Sequence, residues 1–182
     1  RAIYLQPVGT PWPSAVSETL AHIGNSGASA IRTDLLRQLA RGESAALPSA
    51  VWIDAAMGSW QESRGETQKA LVHLKKAETL AADYPDAVDW LRLAQTTPLV
   101  KLGQKGTATT LLAPMIARED NSQIMLAAMS KLGVIKLTGG SPQHGVRLLH
   151  RAVEDAQGVD WPGKSSARAD LALGLLMIGE NS

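Results

Sequence analysis

Apolar residues recur along this chain at intervals of three and four, and glycine or proline interrupts the stretches that carry them. From about Ala28 to Arg41, Ile31, Leu35, Leu36 and Leu39 fall on one stripe. From Glu66 onward Ala70, Leu71, Leu74, Ala77 and Leu80 do the same, while Lys69, Lys75, Lys76, Glu78 and Asp83 lie mostly elsewhere. A helix turns once per 3.6 residues, so this spacing gathers apolar side chains on one face and leaves the other solvated. Ile3-Tyr4-Leu5 is too short to read as a strand. The pattern predicts an all-α chain.

The breaks order these helices into pairs. Pro7, Gly9, Pro11 and Pro13 make an extended entry over 1–13, with Trp12 as a lid on the first helix. Ser14 caps a helix reaching Ile23, Glu18 lies near its first turn, Gly24-Asn25-Ser26-Gly27 ends it, and Gly42 ends the second. Hairpins are expected at 14–42, 48–84, 86–119 and 121–157, followed by a final helix at 165–179. The hairpin at 86–119 is the least regular, because Pro98 and Pro114 fall inside its helices and an interior proline removes a hydrogen bond. Thr96-Thr97-Pro98 can instead cap a fresh helix and split the segment. Pro142 suits the first residue of a helix, and 158–163, with Trp161-Pro162, reads as a loop. The last helix stands without a second, as expected for a capping helix or a piece of a longer array.

Small residues recur at a longer interval. Gly58, Gly65, Ala70 and Ala77 are matched 75 residues later by Gly133, Gly140, Gly145 and Ala152. That interval holds two units of about 37 residues, within the range of helical-hairpin repeats. Gly58 and Ala70 let two antiparallel backbones approach, Gly65 permits the positive φ of a helix C-cap, and Ala77 keeps the second helix thin.

In these residues the chain resembles the tetratricopeptide repeat, whose units place small residues on both helices of a hairpin and often a glycine in the turn. Two units of this chain match. The large aromatic residues usual in that family are replaced by Asp54, Gln61 and Leu74 in one unit and by Met129, Lys136 and Leu149 in the other. The resemblance implies an α-α superhelix of stacked antiparallel hairpins over 1–182, with eight or nine helices. It also implies a concave wall made by successive first helices, lined here by Trp52, Ala55, Ser59, Glu62 and Ser63 and by Ala127, Ser130, Val134, Leu137 and Thr138. The second set is apolar for a solvated surface, and Leu137 beside Val134 invites an apolar partner.

Composition narrows the function. Phe is absent, two Tyr accompany five Trp, and Ala and aliphatic residues abound, which favours thin helix–helix contacts. Net charge is +1, with 18 basic and 17 acidic residues dispersed along the chain, so no basic surface for nucleic acid is indicated. The absence of Cys excludes thiol chemistry, disulfides and Cys-ligated metal, and leaves cytoplasm and periplasm equally open. No run of 18 apolar residues exists to span a membrane.

Catalysis finds little support. His144 and His150 are six apart and do not share a helix face, and His22 and His73 stand alone. No HExxH, GxSxG or phosphate-loop pattern is present, and Gly139-Gly140-Ser141-Pro142 reads as a turn. Asp83, Asp86 and Asp89 read as acids at a helix start. Trp60 and Trp90 read as core and Trp52 as a ligand contact. No catalytic residue, metal or cofactor is therefore expected. The expected function is a scaffold that binds a protein or peptide on its concave face; the alternative is a helical sensor module holding a small ligand between hairpins. Oligomeric state is left open.

Overall fold

The structure is a computed structural model, and the residues it describes are Leu39 and 47–179. The expected entry at 1–13, the hairpin at 14–42, Trp12 and Ser14 lie outside them. Within residues 47–179 seven helices follow one another: α1 (Ser49–Ser63), α2 (Thr67–Leu80), α3 (Pro85–Lys101), α4 (Lys105–Ile116), α5 (Gln123–Thr138), α6 (Pro142–Asp155) and α7 (Lys164–Ile178). No strand occurs among the described residues. The chain divides into two compact units after Leu102, within the expected 86–119 hairpin.

In the first unit α1 and α2 run antiparallel. Gly58 meets the start of α2, and Asp54, one turn earlier, meets residues further along it. A methyl at Gly58 would stand 2.8 Å from Leu74 Cγ and 3.2 Å from the Ala70 carbonyl oxygen, so the missing side chain is what permits the crossing. The turn is closed by Gly65 at φ 75°. Glu66 N–H donates to the Gln61 carbonyl at 2.9 Å and Gly65 N–H to that of Glu62 at 3.0 Å, the paired bonds of a Schellman C-cap. Val51, Trp52, Ala55 and Ala56 of α1 form a core with Leu74, Ala77 and Ala81, to which α3 adds Ala87 and Leu91. Trp60, Tyr84, Val88 and Trp90 pack around it.

The α3 helix is continuous through Pro98, so the expected split at Thr96-Thr97-Pro98 does not occur. Pro98 has no N–H to donate to the Ala94 carbonyl, yet the helix runs on to Lys101. Thr96 Oγ1 donates to the Leu93 carbonyl at 2.7 Å, and the proline's own carbonyl still accepts from Leu102 N–H at 3.0 Å. Pro85 opens the same helix at its first position, where a missing N–H costs nothing. Pro114 sits likewise near the end of an unbroken α4.

The second unit repeats the hairpin more tightly. A methyl at Gly133 would stand 2.7 Å from Leu149 Cγ, and one at Gly145 2.7 Å from the Gly133 carbonyl oxygen. Position 145 thus has no room for the methyl that its counterpart Ala70 carries. Gly140 has φ 87°, and Ser141 N–H donates to the Lys136 carbonyl at 3.1 Å, as Glu66 does to Gln61. Ser122 caps α5, its Oγ accepting from Met125 N–H at 3.2 Å. Helix α7 turns back along α6: Lys164 Nζ donates to the Ala156 carbonyl at 2.9 Å, and a methyl at Gly174 would stand 2.9 Å from Val146 Cγ2. Trp161 lies in the expected loop between α6 and α7 and is buried there as part of the cluster formed by Met125, Leu126, Met129, Ala152, Ala156 and Ala167. A ring that size offers more apolar area than a loop can leave in water.

Candidate interaction surface

The residues expected to line a partner-binding wall divide between interior and surface. In the first unit, Trp52 is only 2 % exposed and belongs to the core, a correction to its reading as a ligand contact. Leu39, outside α1, is part of the same cluster. Ser59 is buried. Glu62 is buried too and pairs with Lys101 Nζ, so its carboxylate is engaged within the unit. Ser63 is exposed, but its hydroxyl donates to the Trp60 carbonyl at 2.6 Å.

In the second unit Leu137 is interior. Its Cγ would touch a methyl at Gly145 at 2.8 Å, and its Cδ2 one at Gly174 at 3.0 Å, so it fills the space where α5, α6 and α7 meet. The apolar character of the second set, expected to invite a partner, is explained in part by this packing. Val134 is half-buried against the same cluster of Leu137, Val146 and Leu149. Ser130 is half-buried. Thr138 is exposed, its hydroxyl donating to the Val134 carbonyl at 3.1 Å while its own carbonyl accepts from Lys105 Nζ at 3.0 Å.

Two polar clusters escaped the sequence reading. Asp54, at a position where the resembled family usually carries an aromatic, is buried, and its carboxylate lies 2.7 Å from His73 Nδ1 and 3.0 Å from Lys76 Nζ. A buried carboxylate requires such partners, and they are supplied from α2. Glu78 similarly takes Arg92 Nε at 2.7 Å and Gln95 Nε2 at 2.6 Å, fastening α3 to α2. These contacts hold the bundle together. A half-buried aromatic sits beside Ser63: the Arg64 guanidinium lies over the Trp60 ring at 5.1 Å, a cation–π geometry.

Hydrogen bonds from the Ser122 side chain and backbone hold Asp120 below its ordinary range. A hydrogen bond from Lys69 does the same for Glu66, and burial raises Asp170 on α7. None forms part of a cleft of converging titratable groups. Among the described residues no three His, Asp or Glu side chains gather as a metal site, and no described helix is long and apolar enough to cross a membrane. Asp86 stands in the first turn of α3, as expected of a helix-start acid, whereas Asp89 is buried.

No protein-family model matches the chain, and no curated protein or solved structure matches it.

Proposed function

We propose that the chain is a non-catalytic scaffold of tetratricopeptide-like hairpins, which binds a protein or peptide on a surface built from successive first helices. The observation that supports this reading is the recurrence of one hairpin contact. Gly58 meets Ala70 and Leu74, and 75 residues on Gly133 meets Gly145 and Leu149. Positive-φ glycines at 65, 103, 140 and 179 punctuate the helices at intervals of 38, 37 and 39 residues, in step with that recurrence. Repeats of this kind present extended surfaces to polypeptides by shape and polar complementarity, with no bond chemistry.

Because Trp52, Ser59, Glu62 and Leu137 serve the interior, the contact residues under this reading are those that reach solvent. They are Ser63 with the neighbouring Trp60–Arg64 pair in the first unit, and Ser130, Val134 and Thr138 in the second. The test is retention of a polypeptide from native lysate on the immobilised chain, repeated with Arg64→Glu, and separately with Thr138→Arg. Retention that drops in either variant while the melting temperature holds within about 2 °C supports the reading. A chain that retains only small molecules, or nothing, overturns it.

A further inference from the structure

Charge in the second unit is sorted along the helix axes. Glu119 and Asp120 lie in the loop between α4 and α5, Glu154 and Asp155 at the end of α6, and Asp160 in the loop that follows. Antiparallel packing brings these carboxylates to one end. Bases meet them there: Arg151 reaches Glu119 at 3.4 Å and Asp155 at 3.2 Å, and His150 lies 3.1 Å from Glu154. The described residues of the unit carry one further carboxylate, Asp170, midway along α7.

The opposite end includes the start of α4, the last turn of α5 and the first two turns of α6, and among the described residues these stretches hold bases without acids. Lys105 is fixed there by its bond to the Thr138 carbonyl at 3.0 Å. Lys136 stands in the last turn of α5, and His144 and Arg147, three residues apart, share the exposed side of α6. Among the described residues no carboxylate pairs with any of the four. In the first unit, by contrast, Lys69 meets Glu66, Lys76 meets Asp54, Arg92 meets Glu78 and Lys101 meets Glu62. Like charges left together on one edge raise its potential and attract charge of the opposite sign.

We propose that this edge docks a polypeptide segment rich in Asp and Glu. Its bases are spread over three helices instead of converging on one point, which suits carboxylates carried on successive residues better than a single phosphate. They are also fewer than the roughly 6–10 phosphate contacts on which a strongly bound nucleic acid relies. His144 and Arg147 belong to a second helix, so the inference goes beyond the scaffold reading, whose contacts lie on first helices. Exposed cations attract at long range and bind weakly, so the contact forms fast and is sensitive to salt.

Fluorescence anisotropy with two short labelled peptides, one alternating Glu and Ala and one alternating Lys and Ala, tests it. The acidic peptide should bind at about 20 mM salt and lose about tenfold or more in affinity by about 200 mM, and the basic one should not bind. Arg147→Glu should weaken binding of the acidic peptide about tenfold. Lys75→Glu, an equal change of charge at an exposed site on α2, should leave it within about twofold. Both side chains are exposed, so helix content and melting should be retained. No binding of the acidic peptide at low salt overturns the proposal. Equal weakening by the two substitutions overturns it as well, since binding would then follow net charge. So does an oligothymidylate that binds more tightly than the peptide and is lost with Arg147→Glu, which would assign the edge to phosphate. The scaffold reading is tested apart from this, through Arg64→Glu and Thr138→Arg, so either can fail alone.

Discussion

Glycine does three different jobs here, and substitution separates them. At Gly58 and Gly133 the side chain is absent because another helix occupies its space, so Gly58→Leu and Gly133→Leu should each cost about 1–3 kcal/mol by overpacking. The second should cost at least as much, since a Gly133 side chain would meet Leu149 at 2.7 Å in the tighter of the two crossings. At Gly65 and Gly140 the neighbourhood is empty and the backbone is left-handed, so Gly→Ala should cost about 1–2 kcal/mol through strain alone. Gly106 in α4 has neither constraint: nothing lies within 4 Å of where a methyl would stand, and its φ is ordinary. Gly106→Ala should therefore stabilise by about 0.4–1 kcal/mol. Denaturant melts of the set check all three, and equal effects at Gly106 and Gly133 would contradict the packing account.

At the scale of the helix, legibility follows periodicity. The paired helices, the turn glycines and the crossings at Gly58 and Gly133 are readable because each is a local rule repeated at fixed spacing. Side-chain destinations are harder to read. The resemblance puts Leu137 on a solvated wall, yet its position is decided by α6 and α7, whose packing a repeat pattern does not include. Trp52 is misplaced for the same reason, by a cluster extending to Leu39. Asp54 shows the converse, since its burial depends on His73 and Lys76, nineteen and more residues away. A polar letter in the sequence says nothing about partners on the next helix. Leu137→Glu is thus expected to unfold the second unit, at a cost above about 4 kcal/mol, because the carboxylate would be buried among Leu149, Val146 and Gly174 without a counter-charge. A variant that melts with the parent would return Leu137 to the surface and restore the wall that the resemblance implies.

At the scale of the molecule the chain comprises two compact units, divided between Leu102 and Gly103. Each holds its own apolar clusters, Trp52 and Leu91 in one, Met129, Trp161 and Leu149 in the other. A fragment of 103–182 should then be helical by circular dichroism and melt cooperatively, while a fragment without a thermal transition would show that its core is incomplete alone. The contacts that hold these units join helices close in sequence: Glu62 to Lys101 spans 39 residues and Gln123 to Asp160 spans 37. That fact has a kinetic consequence. Each hairpin closes only a short loop, so little chain entropy is lost before a contact offsets it, and folding belongs in the microsecond-to-millisecond range of low-contact-order helical domains. A chain emerging from the ribosome can complete each pair as its second helix appears, using its predecessor as the template and exposing apolar surface only at the growing end.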